Sequence, residues 1–78
     1  MAIDKLKQAF MKSLAVSETA ITDSLEYNSI QEWDSTAHMI LIAELEDVFD
    51  VMLDTDDIID MSSYAKAREI LRKYDIEC

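Results

Sequence analysis

In a chain of 78 residues with neither glycine nor proline, the side chains able to do chemistry gather in two short stretches. The first is Asp34-Ser35 with His38 three residues beyond the serine. On a helix that spacing puts Ser35 and His38 on one face, one turn apart. A hydroxyl, an imidazole and a carboxylate so close together suggest acyl transfer with Ser35 as nucleophile and His38 as its base. Nothing around them builds an oxyanion site, and Asp34 is the immediate chain neighbour of Ser35, so a hydrolase is not expected. The second stretch is Asp54-x-Asp56 with Asp60 beyond it. A calcium loop counted from Asp54 needs Gly at its sixth position and Glu at its twelfth, where this chain has Ile59 and Ala65. The acids read instead as helix caps. Cys78 is the single cysteine, which excludes an internal disulfide and a cysteine zinc cluster, so no metal is expected.

Ser35 must be positioned by a helix. A serine at a helix start is among the commonest capping choices, and position alone does not make it functional. The apolar positions Ile3, Leu6, Phe10, Met11 and Leu14 predict a first helix. From Ala15 to Asp34 that period is lost, and Ser, Thr, Asp and Asn dominate a long loop. Val16, Ile21, Leu25, Tyr27, Ile30 and Trp33 are spread through it, so it is expected to pack against the helices. A second helix is expected from about Ser35 to Phe49 with Asp34 as N-cap. Its core arc holds His38, Met39, Leu41, Ile42, Leu45, Val48 and Phe49, which makes His38 a satisfied core histidine. Glu44 and Asp47 lie opposite, with Thr36, Ala37, Ile40 and Ala43 nearer the serine. A short helix capped by Thr55 follows, with Asp56 and Asp57 at its positive end. Ser62-Ser63 caps a last helix with Tyr64, Ala67, Ile70, Leu71 and Tyr74 inward and Arg72 and Lys73 at its end. The expectation is one all-α domain over residues 1–78: three longer helices, one short helix and a long first loop. Met39, Met52 and Met61 are expected as core filler.

Charge narrows the partners. The net charge of −10 opposes nucleic acid and anionic membrane surfaces. All seven basic residues lie before Ser13 or after Ala65, and the stretch between holds thirteen acids and no base. Such a field keeps the chain soluble and steers basic partners. No apolar run approaches the roughly 20 residues that span a bilayer, and no signal segment opens the chain, so a cytoplasmic protein without membrane insertion is expected. With no Gly, turns fall to Asp, Asn, Ser and Thr. At this length the interior is thin and poorly suited to an enclosed catalytic pocket.

The order of long loop, Trp33-Asp34-Ser35, amphipathic helix, Leu45-Glu46-x-x-Phe49-Asp50, short acidic helix, Ser62-Ser63 and final helix resembles the acyl carrier protein family along nearly the whole chain. That family's signature is Asp-Ser-Leu at the start of its second helix, followed later in that helix by Leu-Glu and then Phe. Asp34, Ser35, Leu45, Glu46 and Phe49 match in register, and Thr36 stands where leucine is usual. The string from Trp33 to Met39 is similar to the Trp-Asp-Ser-x-x-His form of free-standing carriers outside primary fatty acid synthesis, some of which accompany surface-sugar or specialised-metabolite pathways.

The resemblance implies an acyl-carrier-like four-helix bundle that is not an enzyme. Ser35 would carry phosphopantetheine, whose thiol holds an acyl or aminoacyl cargo as a thioester. Its implied partners are a phosphopantetheinyl transferase, a loading enzyme and downstream transferases, met by a monomeric carrier through Asp34, Thr36, Ala37, Ile40, Glu44 and Asp47. An anion at a helix N-terminus also meets unpaired N–H groups, which suits a phosphodiester on Ser35. The competing reading is an unmodified acidic helical adaptor that binds a basic protein through the same face.

Overall fold

The computed structural model describes residues 1–78. Four α-helices make up the chain: α1 over Ala2–Leu14, α2 over Ser35–Phe49, α3 over Thr55–Asp60 and α4 over Tyr64–Arg72. A 3₁₀ turn at Glu18–Ala20 interrupts the first loop. The bundle contains no strand, only an isolated antiparallel bridge between Glu26 and Ser63. None of its helices is long and apolar enough to cross a membrane.

Periodicity becomes packing on α1 and α4. Leu6, Ala9, Phe10 and Leu14 of α1 are buried, as are Tyr64, Ala67, Ile70 and Leu71 of α4. Phe10 sits between two aromatic partners, with centroids 5.5 Å from Trp33 and 5.1 Å from Tyr64, both edge to face. Each such pair adds about 0.5–1.5 kcal/mol beyond area burial. The long loop is part of this core: Ile21, Leu25 and Trp33 are buried in the same cluster as the helices. It is stitched to the α3–α4 junction by Tyr27 N–H on Ser62 O at 2.8 Å and Tyr64 N–H on Leu25 O at 2.9 Å. The radius of gyration of 11.1 Å is close to the roughly 11.5 Å of a compact chain this long, so the loop adds no protrusion.

Capping follows the sequence at two helices. Asp34 Oδ1 accepts Ala37 N–H at 2.8 Å to start α2, and Ser63 Oγ accepts Lys66 N–H at 2.9 Å to start α4. At α3 the expectation shifts by one residue: Asp54 is the N-cap and Thr55 the first helical residue, with no side-chain cap. Asp57 does more than complement the dipole. Its buried carboxylate accepts from Lys73 and from the Tyr74 hydroxyl, just past the end of α4. Tyr74 in turn accepts Asp54 N–H at 3.1 Å. The Lys73 ammonium first, then the Tyr74 hydroxyl, hold the Asp57 carboxyl below its ordinary range, while Asp57 pushes Lys73 and Tyr74 up.

Without glycine, left-handed backbone falls to Ala15, Asn28, Asp50 and Asp75. Asn and Asp are the residues expected there, and Ala15 is the exception. Three of these positions perform one task. Val16, Val51 and Ile76 each send an N–H back five residues, to Met11, Glu46 and Leu71, just after Ala15, Asp50 and Asp75 turn left-handed. This is the Schellman closure that usually takes glycine.

Two methionines depart from the expected core role. Met61 is 1% exposed, but Met39 and Met52 are 57% and 86% exposed. The α2 arc is narrower than its periodicity allowed: Leu41, Ile42 and Leu45 are buried, and His38, Val48 and Phe49 are half-buried.

Candidate functional site

Ser35 is exposed and is the first residue of α2. Of the first N–H groups of that helix, Ala37 is bonded to the Asp34 side chain and His38 to the Asp34 carbonyl at 2.9 Å. The N–H groups of Ser35 and Thr36 have no partner. A serine hydroxyl thus stands beside two free donors at the positive end of a fifteen-residue helix.

A cleft of about 330 Å³ opens at Ser35 between α2 and α3, lined by Tyr27, His38, Met39, Ile58, Ile59 and Met61. Its walls come from three separate parts of the chain, the long loop, α2 and α3. Ile59, 73% exposed, and Met39 leave it open to solvent. On the outer side of α2, Ser35, Thr36, Met39, Ile40 and Ala43 form a second, shallow apolar strip. Ser35 and Met39 belong to both surfaces.

His38 sits beneath this site with both ring nitrogens engaged. Trp33 Nε1 lies 3.1 Å from Nδ1, and Nε2 lies 2.9 Å from the carbonyl oxygen of Ile58. An indole nitrogen only donates. Nδ1 is therefore the acceptor, and Nε2–H donates to Ile58. The imidazole stacks on Trp33 with an interplanar angle of 22° and meets the edge of Tyr27 with centroids 5.5 Å apart. His38 is satisfied, as the sequence led one to expect, though half-buried beside the cleft rather than within the core.

The residues expected on a docking face separate into two sets. Thr36, Ile40 and Asp47 are exposed along one side of α2, and Asp34 is exposed at its start. Ala37 packs partly against the core. Glu44 turns toward α1, where its carboxylate is 3.4 Å from the Lys12 ammonium. Glu46, matched in the sequence with Leu45, holds the α2–α3 connection: its carboxylate accepts Leu53 N–H at 3.0 Å.

Tyr27, Ile58 and Ile59 were not singled out as site residues by the sequence. They lie up to 24 residues from Ser35 along the chain, and only Ile58-Ile59, an apolar pair in an acidic six-residue helix, signals a wall in advance. Asp54, Asp56 and Asp60 do not converge on a metal-holding cluster. Burial pushes the Cys78 thiol up, and it lies away from the cleft. Neither a family model, a curated protein nor a solved structure matches this chain.

Proposed function

We propose that this chain is an acyl or aminoacyl carrier protein with the acyl-carrier-like bundle, acting through phosphopantetheine on Ser35. In the modification, Ser35 Oγ attacks the phosphorus of coenzyme A that bears pantetheine. The adenosine bisphosphate half departs with the electrons of the broken P–O bond, and the serine proton passes to a base of the transferase. The product is a phosphodiester at the start of α2. Cargo then rides as a thioester on the terminal thiol of the arm.

The observation that carries this reading is the position of Ser35, exposed at the first residue of α2 and shared by the apolar cleft and the apolar outer strip. The unpaired N–H groups of Ser35 and Thr36 favour an anion there. The cleft lies at the low end of the 300–1,000 Å³ typical of small-molecule pockets, suited to a small apolar group on the arm. The outer strip with Asp47 beyond it suits enzymes that dock briefly and leave, steered by the acidic field. An unmodified adaptor would use the strip equally well, but would have no use for a cleft opening at a serine. Hydrolysis is disfavoured because both nitrogens of His38 are committed elsewhere, leaving Ser35 without a base.

The reading is tested by incubating the purified chain with fluorescent coenzyme A and a broad-specificity phosphopantetheinyl transferase. Covalent label on the wild type and none on Ser35→Ala is the expected result. Label on neither protein, or on both, overturns it.

A further inference from the structure

The helix α3 has six residues, too few to be stable alone. Its position is fixed by what holds its ends. The side away from the cleft is held by Asp57, bound to Lys73 and Tyr74. At the C-terminal end, Met61 N–H bonds Asp57 O at 3.0 Å and Ser62 N–H bonds Asp60 O at 2.7 Å. The Ile58 carbonyl receives no backbone N–H, as is usual for the last turn of a helix. It is satisfied from another helix, by His38 Nε2 at 2.9 Å.

We propose that His38 is a positioning residue that sets the cleft beside Ser35: it caps α3 across the bundle and so fixes the Ile58-Ile59 wall against α2. Three features combine. Trp33, fully buried, holds the imidazole by accepting no other role than donor to Nδ1, which leaves Nε2–H directed at Ile58. The stacked indole fixes the plane of the ring. His38 is one turn beyond Ser35, so the group that holds the wall and the group that opens onto the cleft share one helical face. The spacing Trp33-x-Ser35-x-x-His38 is thereby a structural unit: indole, imidazole and the α3 carbonyl in series, with Ser35 at the mouth. Because neither ring nitrogen is free, His38 offers no hydrogen bond to a guest, and Met39, Ile58, Ile59 and Met61 leave the cleft suited to apolar groups. What occupies the cleft rests on the carrier reading; the capping of α3 does not.

The test uses the full unmodified chain as wild type, His38→Leu and His38→Gln. Backbone amide exchange is measured across α3 and, as internal controls, across α1 and α4. Loss of the cap in His38→Leu is expected to speed α3 exchange about tenfold while α1 and α4 change little. Glutamine carries both an acceptor for Trp33 and a donor for Ile58, so His38→Gln is expected to restore most of the protection. Nitrogen-15 spectra of the wild-type imidazole should show Nε2 protonated and Nδ1 bare. Unchanged α3 exchange in His38→Leu, an equal rise in all helices, no rescue by glutamine, or the opposite tautomer each overturns the proposal. Transferase labelling of the same three chains reports on the carrier reading separately, since its failure leaves the exchange result standing.

Discussion

Asp57 and Lys73, sixteen residues apart, form an ion pair that joins the first turn of α3 to the end of α4. Asp57 is the sole buried charged residue, and the Tyr74 hydroxyl completes its coordination. With Lys73 and Tyr74 holding the Asp57 carboxyl low, its contribution is present above the ordinary value of 3.8 and is lost as pH falls through the depressed one. Lys73 is held high, so its contribution is present below the ordinary value of 10.5 and is lost as pH rises through the raised one. The melting temperature of wild type minus that of Lys73→Met should therefore be largest between about pH 5 and 9 and shrink toward both extremes. A difference independent of pH would contradict this account of the clamp.

The left-handed helix ends give a second prediction. Ala15 and Asp75, with φ of 55° and 64°, occupy a conformation that costs a residue with a Cβ about 1 kcal/mol. Ala15→Gly and Asp75→Gly should each raise stability to urea by about 1 kcal/mol, with the aspartate also shedding a charge unfavourable at a helix C-terminus. Both lie outside the cleft, so labelling of Ser35 should be unaffected.

Glu46 supplies the acceptor for Leu53 N–H where the chain turns from α2 toward α3. Glu46→Ala should cost about 1–3 kcal/mol in urea denaturation by leaving that N–H without a partner. Glu46→Gln, which keeps an acceptor oxygen, should recover most of the loss.

Ile40 is 53% exposed on the outer strip and makes little core contact. Under the carrier reading, Ile40→Glu should leave the melting temperature nearly unchanged while lowering kcat/KM for the cognate loading enzyme about tenfold. Equal rates with both proteins would remove the outer strip from the docking surface.

Local chemistry made much of this architecture readable. The bounds of α2, the Asp34 and Ser63 caps and the packing of Trp33 within the long loop all follow from residue types and helical spacing. Relationships across the fold did not. Asp57 finds Lys73 and Tyr74, and His38 finds Ile58, only when helices distant in sequence meet. Met39 lies at the edge of the α2 core arc, where periodicity alone does not decide whether a side chain turns in or out. Glu44 falls on the face opposite the core in a helical projection, yet α1 approaches from that side and brings Lys12 to it. The place of Ser35 at the start of α2 was legible; the cleft beside it required α3 to be placed.

Modification of Ser35 is tested most directly by the intact mass of this chain after coexpression with a broad-specificity phosphopantetheinyl transferase. An increase of about 340 Da is expected on the wild type, absent from Ser35→Ala and mapping to Ser35. An unmodified wild-type chain, or an adduct that survives in Ser35→Ala, would contradict it.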